Sequence, residues 1–261
     1  MNILIDGLGM MGGSLAKVLA QRKDVQVYLL HRRPEVAREA QALGWGQAIT
    51  SLSEVAACDL AIVCTPVAAT EARVRAIYAA LPKCLITDIG SVKAPVMERL
   101  RDVKHFVGSH PMCGSHLQGL TNADATIWSG ATCVVTANTV ESFWKSLGMR
   151  VVCMDAQTHD AAVARVSHLM HVLAFLGAGQ VTPADLLLAA GSWRDTTRVA
   201  GSSPELWAGI LMENRESVLK ELDHLGATLV KLQKALETKD LSGVTAILES
   251  GYRIRQGYDK A

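Results

Sequence analysis

The feature that most constrains this chain lies in its first twelve residues. Asn2-Ile-Leu-Ile-Asp6 is a short, mostly apolar run that leads directly into Gly7-Leu8-Gly9-Met10-Met11-Gly12, and this glycine turn opens a helical pattern. A strand, a GxGxxG turn and a helix in immediate succession make a dinucleotide-binding unit. The first glycine allows the tight bend, the second lets the backbone approach a pyrophosphate, and the third lets the helix pack closely on the strand. The helix N-terminus then faces the anion.

The second strand bears on which dinucleotide is bound. Val25-Gln-Val-Tyr-Leu-Leu30 lies about twenty residues on, where NAD-binding chains usually end in an acidic residue for the ribose 2′-hydroxyl. Here the strand runs into His31-Arg32-Arg33. Guanidiniums pair with a 2′-phosphate through charge-assisted, bidentate hydrogen bonds, whereas a carboxylate repels it. NADP is therefore favoured over NAD. The alternative is that Arg32 and Arg33 are solvated charges opening the helix that begins near Pro34.

Further strand patterns follow at Asp59-Leu-Ala-Ile-Val-Cys64, Cys84-Leu-Ile-Thr-Asp88, His105-Phe-Val-Gly108, Ala131-Thr-Cys-Val-Val-Thr136 and Arg150-Val-Val-Cys153, mostly separated by helical stretches. This alternation predicts an α/β, Rossmann-type domain with a mainly parallel sheet over residues 1–154. Beyond it the strand signals stop. One helix is expected over 155–175, a short one over 183–190 and a long one over 204–237, together an all-helical domain over 155–261. Ser203 is the expected N-cap of the long helix and Pro204 its first residue. Leu211, Val218, Leu222, Leu225, Leu229, Leu232 and Leu236 form its apolar stripe. That stripe is longer than a small helical domain covers by itself, which points to a homodimer.

Acidic and basic residues nearly balance, leaving a formal net charge of +1 over 261 residues. That argues against a broad nucleic-acid surface and for small-molecule chemistry. Polar residues interrupt each apolar run before it reaches bilayer length, and Met1 leads straight into a strand, so the expectation is a cytoplasmic protein without a membrane span. The six cysteines contain no CxxC pair. They read as reduced, buried thiols rather than a disulfide framework or a zinc site.

Ligands in such folds bind just past the carboxyl ends of the strands. Thr65-Pro66 falls there and can border a nicotinamide; so do Asp88-Ile-Gly-Ser-Val-Lys93 and Gly108-Ser-His-Pro-Met-Cys-Gly114. His110 reads as a loop residue between glycines and a proline. An imidazole beside a nicotinamide can take the proton of a hydroxyl whose carbon gives up hydride; the alternative is a histidine that only holds its loop by hydrogen bonds. Ser167-His168-Leu-Met-His171 sets two imidazoles at i, i+3 on one helix face, too few for a metal site. Trp193-Arg194-Asp195-Thr-Thr-Arg198 reads as a charged, glycine-flanked connection, either solvated or clamping a substrate carboxylate.

In that order, the glycine turn, the Asp88–Lys93 and Gly108–Gly114 segments, Ser167–His171, and Arg194-Asp-Thr-Thr-Arg-Val-Ala200 followed by Pro204-Glu-Leu-Trp207 resemble the motifs of the prephenate/arogenate dehydrogenase family across nearly the whole chain. The resemblance implies oxidative decarboxylation of a cyclohexadienyl acid on the route to tyrosine. It also implies NAD or NADP as hydride acceptor and a helical dimerisation domain. By position, His110 resembles the catalytic histidine at the substrate C4 hydroxyl, Ser91 its hydrogen-bonding neighbour near the nicotinamide, and Arg198 the arginine that binds a substrate carboxylate. Asp195, His171 and Trp207 match positions lining the same pocket.

There are departures. Where many relatives read Ala-Gly-Thr-Glu, this chain has Cys113-Gly-Ser115-His116, so a pocket-gating carboxylate is missing; Met170 replaces a common proline and Trp193 a usual phenylalanine. No regulatory ACT domain or fused chorismate mutase is expected at this length. Prephenate and arogenate differ in a keto against an amino side chain, and the loop at 115–119, with Ser115, His116 and Gln118, is the expected source of the deciding contact. The missing glutamate and the short length lean towards arogenate. An amino-substituted prephenate is a further alternative. β-Hydroxyacid dehydrogenases rely on a lysine in the helical domain, and none lies between Lys145 and Lys220. A non-enzymatic NADP-binding sensor would not need the set of His110, Ser91 and Arg198.

Overall fold

The computed structural model describes residues 1–114 and 117–258. Its strands are β1 (Asn2–Asp6), β2 (Gln26–Leu30), β3 (Gln47–Ala48), β4 (Leu60–Val63), β5 (Leu85–Asp88), β6 (Phe106–Val107), β7 (Ser109–Pro111), β8 (Thr132–Val135) and β9 (Arg150–Cys153). The first six form a parallel sheet in the order β3-β2-β1-β4-β5-β6; a smaller sheet, β7-β8-β9, pairs β7 antiparallel and β9 parallel to β8. The strand order reverses between β1 and β4, which opens a crevice at their carboxyl ends.

Interleaved helices are α1 (Met10–Leu19), α2 (Pro34–Ala42), α3 (Val67–Ala80), α4 (Ala94–Arg99) and α5 (Glu141–Ser146). They cover both faces of the main sheet, which is why its strands are apolar throughout rather than alternating. Ile3 and Ile5 pack in one layer with Leu15 and Leu19 of α1, while Leu4 packs in the other with Val74, Ile77 and Val96. The first layer continues into the small sheet, where Trp128 and Trp144 are fully buried.

The helical part departs from expectation in four places. The helix expected over 155–175 is α6 (Ala156–Val163), a π-helical turn (Ala164–His168) and α7 (Leu169–Ala178). This run is long and apolar enough, by length and composition alone, to cross a bilayer, contrary to the sequence reading. Its polar residues His159, Asp160 and His168 are instead buried and bonded inside the protein. The segment 183–190 holds only a 3-10 turn (Asp185–Leu188). The charged connection is itself helical, with α8 (Gly191–Thr197) running into a 3-10 turn (Arg198–Gly201).

The long helix expected over 204–237 is broken into α9 (Pro204–Glu213) and α10 (Arg215–Glu237), the latter followed by α11 (Leu241–Tyr258). Ser203 caps α9 as expected, accepting from the Leu206 N–H at 3.2 Å. The break is at Asn214, whose backbone (φ −104°, ψ 26°) leaves the helical region. Its amide nitrogen donates to the Asp160 carbonyl (2.8 Å) and meets His168 Nδ1 at 3.1 Å. Two buried tertiary bonds outweigh one more turn of regular helix, whose net worth per bond is about 1 kcal/mol. The chain divides after Asn214 into two compact units. In the second, α10 and α11 form a hairpin turned by Lys239 in the left-handed region (φ 54°), and Asp240 accepts from Gly243 N.

Removing the Asn214 amide leaves a buried carbonyl and a buried imidazole nitrogen without their partner. Asn214→Ala is expected to lower the unfolding free energy by about 1–3 kcal/mol, seen in urea as a lower midpoint at unchanged slope. An unchanged midpoint would show that the helix breaks for another reason.

Candidate active site

The glycine turn forms a cradle at the sheet's crevice. Gly7 has φ +108°, and a Cβ there would sit 2.8 Å from the Cys64 carbonyl; a Cβ on Gly12 would lie 1.9 Å from the Gly7 oxygen. Both positions therefore require glycine. A Cβ on Gly9 would meet nothing within 4 Å, so that backbone faces open space. Helix α1 begins with no side-chain cap and no acidic residue in its first turn, leaving amide N–H groups and a positive dipole end for an anion. Beside it, Thr65 Oγ1 is buried without a hydrogen-bond partner, as expected of a hydroxyl that meets a ligand. The cradle fits a dinucleotide.

At the end of β2 the His31 ring turns back on its own backbone, with Nδ1 3.2 Å from the Arg33 N–H. Arg32 and Arg33 are exposed, and neither has an ion-pair partner among the described residues. Asp6, before the turn, is buried against Arg73 (2.6 Å). Burial pushes its carboxyl up, while the Arg73 bond and charge and the His31 charge pull it back down.

The segment after β7 borders this cradle, since a side chain on Gly114 would reach the Met11 sulfur at 3.5 Å; in the loop after β5, one on Gly90 would come within 2.8 Å of the Asp88 carboxylate. Asp88, fully buried, organises the loop: its carboxylate pairs with the equally buried Lys93 ammonium and accepts from Gly90 N (3.0 Å) and Ser109 N (3.1 Å). Ser109 is fixed further by Thr87 and Trp144.

These contacts place His110 on β7 rather than in a loop, with the ring buried at 8% exposure. The sequence reading of an unburied loop histidine is corrected, because Ser109, His110 and Pro111 pair with Val135, Val134 and Cys133. His110 Nδ1 meets His159 Nε2 at 2.9 Å, and His159 Nδ1 meets Asp160 Oδ1 at 2.7 Å. Asp160 also accepts from the backbone N–H groups of Lys93 and Ala94, both at 2.8 Å, and so caps α4 from α6. Ser91 makes no side-chain hydrogen bond to His110; the ring's partner is His159. Burial first, then the charges of His159, Lys93 and His168, hold the His110 imidazole well below the usual histidine range. It is a neutral base.

Around the helical wall, the His171 ring stacks on Trp207 at 3.5 Å between centroids, and His168 meets the same indole edge-on at 5.9 Å. His171 Nδ1 donates to the Ser167 carbonyl at 2.9 Å. Burial lowers its pKa, the Ser167 bond partly offsets this, and the nearby Arg198 charge lowers it further. His168, buried, is pushed down to about 4 by burial and leaves Nε2 without a partner. The fold thus brings Arg198, His171, His168 and Trp207 into one neighbourhood.

Two other expected residues are exposed. Asp195 is exposed on α8, 3.9 Å from Arg194. Gln118 is exposed, its carbonyl accepting from Asn122. Ser115 and His116 fall outside the described residues.

Sequence reasoning missed His159, Asp160 and Asn214. One signal was available: Asp160 and His168 stand close about the apolar run Ala161-Ala-Val-Ala164. A carboxylate and an imidazole beside such a run need buried partners.

Comparison with known proteins agrees with this architecture. The family model "Prephenate dehydrogenase, nucleotide-binding domain" matches residues 15–153, and "Prephenate dehydrogenase, dimerization domain" matches residues 155–250. A cyclohexadienyl dehydrogenase of Zymomonas mobilis is 34% identical over 92% of this chain and 89% of its own, and a prephenate dehydrogenase of Lactococcus lactis 30% identical over 98% and 77%. Among solved structures, the prephenate dehydrogenase of Aquifex aeolicus in complex with hydroxyphenyl propionate and NAD+ superposes with a TM-score of 0.90 at 28% identity, covering 99% of this chain and 98% of that one. Synechocystis arogenate dehydrogenase superposes with a TM-score of 0.84 at 26% identity, covering 99% and 100%. A Rossmann-type sheet with a glycine cradle, a buried neutral histidine at its edge and two matching family models lead to one conclusion: this chain belongs to the prephenate dehydrogenase family of oxidoreductases, which use a nicotinamide cofactor.

Proposed function

We propose that this protein catalyses the NADP-dependent oxidative decarboxylation of arogenate or prephenate on the route to tyrosine, as a cytoplasmic homodimer joined through the helical region from residue 155 onward. The observation that carries the reading is His110, a buried imidazole kept neutral, hydrogen-bonded through Nδ1, and set in a loop network that also packs on the glycine cradle. The relatives support the substrate class, since one is a cyclohexadienyl dehydrogenase and another an arogenate dehydrogenase.

The cofactor's phosphates are assigned to the turn from Gly7 to Gly12, its 2′-phosphate to His31, Arg32 and Arg33, and its reactive ring to Thr65, Pro66 and Ser91. Bound there, a nicotinamide supplies the acceptor for the hydride on the substrate's C4. His110 Nε2 removes the C4 hydroxyl proton. Once C4 is a ketone, the bonding pair to the C1 carboxylate flows into the ring, and carbon dioxide leaves as the ring becomes aromatic. Arg198 holds a substrate carboxylate, with His171 and Trp207 lining the pocket and Asp195 supporting it. The loop carrying Ser115, His116 and Gln118 meets the side chain, and its lack of the gating glutamate favours arogenate.

Four outcomes test this. In Arg32→Ala with Arg33→Ala, KM for NADP is expected to rise while NAD use changes little, each lost guanidinium–phosphate pair costing about 1.5–3 kcal/mol; equal loss with both cofactors would mean that the arginines do not read the 2′-phosphate. His110→Asn is expected to lower kcat about 10²- to 10⁴-fold with cofactor affinity retained. Because burial depresses the His110 pKa, its basic form is already present at pH 6.5. The kcat/KM of the wild type should therefore hold level down through that pH and fall only in more acid solution. Arg198→Gln should lower kcat/KM for the acid about 30- to 1000-fold, the equivalent of about 2–4 kcal/mol, without weakening NADP. Unchanged kcat/KM in a folded Arg198→Gln protein would leave the carboxylate site unassigned.

A further inference from the structure

The hydrogen bonds around His110 have only one self-consistent direction. The Asp160 carboxylate accepts from two backbone N–H groups, which have no other role, so its bond to His159 requires a proton on His159 Nδ1. In a neutral ring this leaves His159 Nε2 as an acceptor, and the 2.9 Å contact requires His110 Nδ1 to be the donor. His110 Nε2 is then the lone pair that faces away from the chain of bonds. The tautomer of His110 is set two side chains away.

The groups facing His110 bear on what happens when it gains a proton. From the β5–α4 loop comes the buried Lys93 ammonium, already paired with Asp88; from the π-helical turn comes His168; from β8 comes the Cys133 thiol. None of these supplies an anion to His110 directly. Asp160 does supply one, but to the far nitrogen of His159. A positive charge is better placed on His159, in contact with that carboxylate, than on His110, beside an ammonium and another imidazole.

We infer that His159 and Asp160 are positioning residues that also hold the proton in flight, so that the proton removed from the substrate ends on His159 and not on His110. This rests on the reading of His110 as the base. As the C4 hydroxyl proton bonds to His110 Nε2, the proton on His110 Nδ1 passes to His159 Nε2. His110 ends neutral in its other tautomer, and His159 becomes an imidazolium against the Asp160 carboxylate. Two N–H bonds form while one O–H and one N–H bond break; the electron pair of the broken O–H bond becomes part of the C4 carbonyl as hydride departs. The proton returns along the same path to the phenolate oxygen of the product.

Glutamine is the discriminating substitution at His159. It accepts from His110 Nδ1–H and donates to Asp160, so it preserves position and tautomer but cannot take up a proton. His159→Gln is expected to lower kcat about 10- to 100-fold with KM for both substrates within about twofold. A proton inventory in H2O/D2O mixtures, curved for the wild type because two protons move, should become linear. Near-normal kcat and a proton inventory that stays curved in His159→Gln would overturn the inference and leave His159 a spacer. If the glutamine variant does not fold, the ¹⁵N-histidine measurement on the unmutated enzyme carries the test by itself.

A separate readout keeps this distinct from the substrate assignment. In ¹⁵N-histidine-labelled enzyme with both rings assigned, lowering the pH should make His159 the doubly protonated ring while His110 switches tautomer. Double protonation of His110 instead would sink the proposal whatever acid the enzyme uses. Absence of turnover with either acid, alongside a normal His159 titration, would count against the substrate reading alone.

Discussion

Asp160 lies in the second turn of α6, yet its carboxylate accepts the first N–H groups of α4 and the Nδ1–H of His159, while its carbonyl accepts from Asn214 at the end of α9. One residue therefore fixes the start of the helix that follows the Ser91 loop, the orientation of the ring that contacts His110, and the point at which α9 stops. A buried carboxylate is tolerable only when its lone pairs are filled, and here three donors fill them. The same bonds that offset its desolvation join the helical segment to the edge of the main sheet, where the chemistry is placed.

A second buried pair does the corresponding work inside the sheet domain. Lys93 and Asp88 are both fully buried, and Asp88 spends its remaining acceptor capacity on Gly90 N and Ser109 N. Breaking such a pair strands a charge and costs about 3–5 kcal/mol, so the pair sets the local shape far more firmly than an exposed ion pair would. The Lys93 charge also adds to the burial and the His159 charge that hold the His110 imidazole below its usual range. The same tight packing around β7 thus both fixes the loop and desolvates the imidazole, which is the main cause of its lowered pKa.

Much of this was legible in the sequence where a local rule governs. The glycine turn, the parallel order of apolar strands and the Ser203-Pro204 helix start all follow from short-range backbone chemistry, and each appears at its expected place. The readings that failed depended on partners distant in sequence. Asn214 looked like an ordinary residue of a long amphipathic helix until Asp160 and His168, more than forty residues earlier, supplied its bonds. His110 looked like a loop residue because the antiparallel partner of its three-residue strand, β8, lies beyond a long connection. His159 was invisible for a related reason: a histidine early in a helix has no meaning until the fold shows which ring it meets. The 3-10 and π-helical turns at Arg198–Gly201 and Ala164–His168 were likewise beyond periodicity, which assumes regular helix.

The helical hairpin of α10 and α11 follows a different logic. Leu219, Leu229, Val230, Leu236, Leu241, Leu248 and Ile254 are all exposed on it, and only Val218 and Ala235 of α10 are buried. At about 25 cal/mol per Å² of apolar surface, leaving so many large side chains in water forgoes several kcal/mol, and a two-helix unit has no interior large enough to hide them. The match of residues 155–250 to a dimerisation domain agrees with so much apolar surface lying exposed. Residues up to Asn214 bond to the histidine network, whereas the hairpin beyond it carries exposed leucines in place of buried polar partners, so the two units answer to different physical demands.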